Sequence, residues 1–444
     1  MTEFADDHPR AIDSRSDPSR YLTDEQPPIG GRIKQRPEDF LVEEIAAYEP
    51  CGEGEHIYLF IEKRSLSTLE LVELLARHFQ VSPRAIGYAG LKDKAAVTRQ
   101  VVSVHVPGKR IEDFPEIRND RIGVLWADYH RNKLRIGHLK GNRFSIRVRG
   151  VRPTDAMIAH RVLNTLQRVG VPNRFGEQRF GFLENNHLIG RALLLNDTRG
   201  AVDLLLGPDP LHPNDQHESR AAYARGDLRD AYELMPRSLR TERQVLAKLL
   251  DGTDPARALR AAGKTVLGYY LTAFQSAVFN HVLDDRLKDG TLGELLPGDV
   301  AQKHDNLACF DVDAAVLAAP ETAQRLAAFD ISPSGPMWGP QMKRAAGDVD
   351  ERERDALARA GLSPEALSAF DAGGVAFEGA RRPLRVPITH TDVEGGVDDF
   401  GPFVRCAFEL PRGAFATVVM REIMKPRPQG VPAGTAHPDR SPSS

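Results

Sequence analysis

Cysteine is scarce and scattered. Cys51, Cys309 and Cys406 lie far apart in 444 residues with no C-x-x-C pair, so neither a disulfide framework nor a thiolate metal site is indicated, and a reducing cytoplasm fits. Long apolar runs are also missing. No stretch approaches the ~20 residues that span a bilayer, and the opening Met1-Thr2-Glu3-Phe4-Ala5-Asp6-Asp7 is acidic where a secretory signal would be basic and then apolar. The expectation is a cytoplasmic protein without membrane contact. None of the 14 histidines forms H-E-x-x-H or pairs with a cysteine at ligand spacing, so no metal is expected. Gly263-Lys264-Thr265 matches the end of a phosphate loop, but Ala258 stands where that motif needs its first glycine.

An overall excess of positive charge is lacking too, since the net charge is −3. The average hides an asymmetry. From Arg84 to Arg191 there are 21 Lys or Arg against 9 Asp or Glu, a local +12, which leaves −15 for the remainder. One region suits a polyanion and the rest favours solubility; a merely solvated charged face is the plainer alternative.

The length exceeds one ordinary core and suggests two domains plus tails. Residues 1–27 and 426–444 are polar and poor in large apolar side chains, which predicts disordered ends. Gly54–Glu62 reads as a strand buried on both faces. Ser67-Thr68-Leu69-Glu70 has the form of a capping box, followed by Leu71, Leu74, Leu75, His78 and Phe79 at helical spacing; His78 fits the core boundary better than a ligand role. Strands are predicted at Val97–Val106, Ile122–Trp126, Lys133–Leu139 and Arg143–Arg149, and a helix at Thr154–Val169. In Arg143–Arg149 the alternation puts Phe144, Ile146 and Val148 on one face and Arg143, Arg147 and Arg149 on the other. Helical patterns then dominate, as at Tyr269–Leu287 and Ser363–Phe370. Strands return at Leu384–Ile388 and Phe403–Leu410, before a short helix at Ala416–Met424. This order predicts an α+β catalytic domain, residues 28–170 and 381–425, interrupted by a helix-rich insertion at 171–380.

The most informative segment is Gly87-Tyr-Ala-Gly-Leu-Lys-Asp-Lys-Ala-Ala-Val-Thr-Arg-Gln100. It sets one carboxylate, Asp93, between Lys92 and Lys94, after two glycines that would let a polyanion approach the main chain. Neighbouring ammonium groups favour the ionised carboxylate, which suits a nucleophile or base. An ordinary solvated turn is the bland alternative.

The pattern Ala89, Gly90, Lys92, Asp93, Ala96, Thr98, Gln100 resembles the signature of the TruD family of tRNA pseudouridine synthases. So do Lys34-Gln-Arg-Pro-Glu-Asp-Phe40-Leu-Val-Glu-Glu44, Gly52-Glu-Gly-Glu-His56, Lys140-Gly-Asn-Arg-Phe144, Val171-Pro-Asn-Arg-Phe-Gly-Glu-Gln-Arg-Phe-Gly181 and Gly413-Ala-Phe-Ala-Thr-Val-Val-Met-Arg-Glu422, in family order over roughly residues 31 to 425. The resemblance implies a pseudouridine-synthase-like domain on a mostly antiparallel sheet, interrupted by the family's own TruD-type domain. It implies isomerisation of a uridine, uridine 13 in the D arm of tRNA, with no cofactor. Asp93 would attack C1′ or take a proton from C2′. Phe40, Asn142, Phe144 and Phe415 would surround the uracil. Lys92 would contact phosphate or keep Asp93 ionised, with Lys34 also at the substrate, and Glu422, in the closing motif with Arg421, would brace a lysine across the site, a surface helix pair being the plain alternative. Arg143, Arg147 and Arg174 are the candidates for the RNA backbone. tRNA is the expected partner, and no feature demands an obligatory protein partner. A noncatalytic RNA-binding protein and a hydrolase that frees the base are the competing readings.

Overall fold

The computed structural model describes residues 20–370 and 373–425. The chain divides into a unit comprising Leu22–Val171 and the segment from Val386, and a second unit, Pro172–Arg385, inserted between them.

The first unit is built on strands β1 (Phe40–Ala46), β2 (His56–Arg64), β3 (Ile86–Tyr88), β4 (Val97–His105), β5 (Ile122–His130), β6 (Leu139–Arg149), β7 (Thr389–Asp398) and β8 (Gly401–Pro411). Their order in the sheet is β7-β8-β6-β1-β4-β2-β5, and β3 also pairs with β4. Only β1 and β4 run parallel. One edge of β4 is therefore shared: β1 covers Val97–Arg99, and β3 covers Val102–Val104. The signature loop leaves β3 and returns into β4 across this division.

Strand alternation gives the sheet two unlike faces. On one, Val42, Phe144, Ile146, Val404 and Phe408 pack with Val162 and Leu166 of α2 (Ala156–Val169) and Val419 and Ile423 of α3 (Ala416–Met424). On the same face, Ile57, Leu59, Val102 and Val104 pack with Leu71 and Leu75 of α1 (Thr68–His78). Each such side chain contributes roughly 1.5–3 kcal/mol on burial. The capping box is formed, with Ser67 Oγ accepting from Glu70 N–H and Glu70 accepting from Ser67 N–H. The opposite face of β1, β6 and β8 carries alternating charges: Glu43 meets both Arg99 and Arg143 at 3.1 Å, and Arg143 also meets Glu409 at 2.7 Å.

The strand expected at Lys133–Leu139 is instead a loop. Leu134 alone is anchored in the core, Ile136 is 76% exposed, and Gly137 takes a left-handed conformation (φ 91°) that ends any extended run before β6 begins at Leu139. Of the expected tails, residues 1–19 and 426–444 lie outside the described residues. Thr23 is held: Glu422 accepts from the N–H of Leu22 and of Thr23 at 3.1 Å each and from Thr23 Oγ1 at 2.8 Å. Glu422 thus anchors the start of this unit, and the lysine within its electrostatic reach is Lys425, three residues on.

The inserted unit contains a long helix, Lys264–Lys288, several shorter helices, and a four-stranded antiparallel sheet made by Val300–Lys303, Cys309–Asp311, Ile331–Met337 and Ala380–Pro383. Its interior holds ion pairs. Arg381 meets Glu353 at 2.7 Å with both side chains 1% exposed, and Arg174 pairs with Asp284.

Candidate active site

The signature loop rests on a buried polar frame. Lys92 N–H donates to Thr68 Oγ1 at the start of α1 (2.9 Å), and Thr68 Oγ1 donates to Gln100 Oε1 on β4 (3.0 Å). Thr98, Gln100 and Ala96 are fully buried. The Lys92 side chain turns inward to Glu44 of β1 at 2.7 Å, the two being 5% and 1% exposed. Burial pushes the Glu44 carboxyl above its ordinary range, against the opposing pull of Lys92. Lys92 is thus a structural partner of Glu44 and reaches neither phosphate at the surface nor the Asp93 carboxylate.

Lys34 takes the role expected of Lys92. Its ammonium pairs with Asp93 Oδ2 and lies 4.6 Å from the centre of the Phe40 ring. Lys34 adopts φ 57°, an uncommon conformation for a residue with a Cβ, and one that costs on the order of 1–3 kcal/mol unless its surroundings enforce it. Asp93 is 34% exposed, and its Oδ1 accepts from Ala95 N–H at 3.1 Å. Burial raises the Asp93 carboxyl, but the bond and charge of Lys34 and the main-chain N–H groups of Ala95 and Lys94 outweigh that effect and hold it below its ordinary range. Lys94 turns outward to Glu70 at 2.8 Å.

One residue at this site escaped sequence reasoning. Lys63, on β2, is fully buried, and its ammonium donates to the carbonyls of Leu66 and of Asp93, the latter at 3.3 Å. Burial lowers it from 10.5 to about 8, against the attraction of Asp93. The signal was present. Lys63 continues the alternation of Ile57, Leu59 and Ile61, so a lysine stood in register with core positions.

Asn142 and Phe144 leave β6 on the helix-covered face, opposite Glu44 and Val42 of β1. Asn142 Oδ1 is buried with no hydrogen-bond partner among the described residues, an open acceptor. Phe144 is 7% exposed and packs 5.6 Å from Phe408, inside the core. Phe40 is also buried, whereas Phe415, at the N-cap of α3, presents a ring that is 38% exposed. Lys34 links Asp93 and Phe40, as ion-pair partner of the one and over the ring of the other, and Glu44 links Lys92, its ion-pair partner, to Asn142, its cross-strand neighbour.

The arginines expected at the RNA backbone are engaged in ion pairs. Arg143 and Arg147 project from the face opposite Asn142 and Phe144; Arg143 is engaged by Glu43 and Glu409, and Arg147 lies 3.9 Å from Asp398 and over the Phe403 ring. Arg174 is buried against Asp284 in the inserted unit. Arg174 is 4% exposed, whereas Arg143 and Arg147 keep 55% and 36% of their side chains open to solvent.

No helix among the described residues is long and apolar enough to cross a membrane. The family profile described as tRNA pseudouridine synthase D (TruD) matches residues 18–423. A tRNA pseudouridine synthase D from Geobacter sulfurreducens is 47% identical over 410 residues, covering 92% of this chain and 97% of the relative. One from Geotalea daltonii is 46% identical over 408 residues, covering 91% and 99%. A crystal structure of a TruD protein from Methanosarcina mazei superposes with a TM-score of 0.79 at 26% identity, over 91% of this chain and 95% of that one. The fold is α+β with a mostly antiparallel sheet, and the chain belongs to the TruD family of tRNA pseudouridine synthases.

Proposed function

We propose that this protein isomerises uridine 13 in the D arm of tRNA to pseudouridine, with Asp93 as the catalytic carboxylate. The reaction breaks the N1–C1′ bond, turns the freed uracil and joins its C5 to C1′, after which C5 loses its proton and N1 gains one; nothing is oxidised or reduced. The observation that carries the reading is the state of Asp93: partly exposed, ionised below its ordinary range by Lys34, and fixed through its main chain by Lys63. An anion held ready at that point suits attack on C1′ or removal of a proton from C2′. The open Oδ1 of Asn142 matches the N3–H donor of uracil, and the exposed ring of Phe415 offers a stacking face. Extruding the nucleotide from its stack costs a few kcal/mol, which phosphate contacts elsewhere must offset.

Nucleoside analysis of tRNA after incubation with wild-type protein and Asp93→Asn, without added cofactor, tests the assignment. Pseudouridine with wild type and none with a folded, tRNA-binding Asn variant is expected. Unchanged uridine with wild type would indicate a binding protein, an abasic site a hydrolase, and near wild-type turnover by the variant would remove Asp93 from the chemistry.

A further inference from the structure

The loop Arg131–His138, which joins β5 to β6, and the first two residues of β6, Leu139 and Lys140, together hold four Lys or Arg and no carboxylate. Among the described residues, Lys133, Arg135 and Lys140 form no ion pair, in contrast to Arg143 and Arg147; Lys133 instead donates to the main-chain carbonyl of Arg84. Arg412, likewise without a carboxylate partner there, donates to Gly137 O at 3.1 Å and adds its charge to the loop. Beside these cations lies a cleft of about 470 Å³ whose lining includes Tyr48, His130, Lys133, Arg135, His138 and one acid, Glu49. Tyr48 and His130 stack with ring centres 5.1 Å apart, and Tyr48 Oη bonds to His138 Nδ1 at 2.9 Å. His130 Nδ1 is buried without a hydrogen-bond partner among the described residues.

The loop is a built platform, tied to the signature itself. Leu134 is buried and its N–H donates to Ser103 Oγ at 3.0 Å; Gly137 N–H donates to Ala89 O at 2.8 Å. A Cβ on Gly87 would stand 2.2 Å from Leu134 O. The first glycine of the signature therefore serves to seat this loop, and no space remains there for a phosphate.

We propose that this cleft and loop form a second RNA site, where Arg135, Lys133 and Lys140 grip phosphates and an unpaired base lies against the Tyr48–His130 pair. Unmatched cations on a rigid loop supply attraction that is independent of sequence, and stacked rings supply a surface for a base. The proposal rests on the tRNA-modifying function above.

The test measures tRNA affinity against salt for wild type, Arg135→Gln/Lys140→Gln and Arg143→Gln/Arg147→Gln, with pseudouridine formation followed in parallel. Arg135 and Lys140 are exposed, so their replacement leaves the fold intact. Loss of two phosphate contacts should flatten the slope of log affinity against log salt by about 1.5, while the Arg143/Arg147 pair leaves it unchanged. Tyr48→Ala should weaken tRNA binding about tenfold, and Tyr48→Phe, which keeps the ring, should restore most of it. The losses should fall on affinity more than on the rate at saturating tRNA. Wild-type slope and affinity in Arg135→Gln/Lys140→Gln, with wild-type protein forming pseudouridine, would overturn the second site alone. Absence of pseudouridine with wild-type protein would overturn the functional reading, whatever the salt slopes.

Discussion

Replacing Lys63 by Met separates two opposing effects at a buried cation that touches the main chain of Asp93. Burial lowers Lys63 from 10.5 to about 8. Holding it protonated at neutral pH therefore costs about 3 kcal/mol. Its ammonium satisfies the carbonyls of Leu66 and Asp93, and leaving each of those unmet costs ~1–3 kcal/mol. Met removes both terms, so stability near pH 7 should change by little. The pH dependence should change a great deal. Between pH 8 and 10.5 the unfolded chain binds the lysine proton and the native chain does not, so wild-type stability rises with pH across that window; below 8 both states carry the proton and the penalty is constant. From pH 7 to pH 10, wild type should gain about 2–3 kcal/mol relative to Lys63→Met.

Urea unfolding at the two pH values measures this difference. The protein has two units, so the signal must report the right one. Trp126 lies on β5 of the sheet that carries Lys63, and the only other tryptophan, Trp338, lies in the inserted unit, so a Trp338→Phe background isolates it. Parallel pH dependences for the two proteins would show that Lys63 is not held as described. The same variant should lose pseudouridine formation by on the order of 10²-fold, because the carboxylate would no longer be positioned through its carbonyl.

Lys34→Gln removes the group that lowers Asp93, so the acid limb of a single-turnover pH profile should move upward toward the ordinary carboxylate range; an unmoved limb would mean that Lys34 does not set the ionisation of Asp93. Phe144→Ala should destabilise the first unit by about 3–5 kcal/mol, read by the Trp126 transition, since the ring is buried against Phe408; a stable variant with slow chemistry would restore the ring to the substrate. Gly87→Ala should cost ~1–3 kcal/mol as Leu134 O is displaced, and should weaken tRNA binding through the shifted loop, whereas Gly90→Ala, where the nearest atom is Lys92 Nζ at 3.6 Å, should be tolerated; equal effects at both glycines would contradict the seating role.

What was legible in the sequence followed from local periodicity and short motifs. The capping box of α1, the alternation along β6 and the span of α3 needed only neighbouring residues. The edge strand β7 was invisible because Thr389–Asp398 is largely exposed and its only large apolar side chains are Val393 and Val397. The same rule of alternation misled at Lys133–Leu139, where the left-handed backbone at Gly137 overrides it. Asp93 was legible from its motif. The partners of its neighbours were not, because Lys34 to Asp93, Lys92 to Glu44 and Lys63 to Leu66 and Asp93 depend on how β1, β2 and the loop meet across β4.

The signature is accordingly a frame more than a contact surface. Thr98, Gln100, Ala96 and the Lys92–Glu44 pair are buried, and buried polar groups lower stability unless their position repays the desolvation. Apolar residues at Lys92, Glu44 and Lys63 would pack with less penalty, yet none of them would fix the loop by directional bonds. The frame leaves Asp93 as its ionised and partly exposed product, with the positive charge of Lys34 at its carboxylate and that of Lys63 at its carbonyl. Two cations at opposite ends of one residue orient it and keep it charged, so removing either should move a different observable: the acid limb for Lys34, and the alkaline stability and loop position for Lys63.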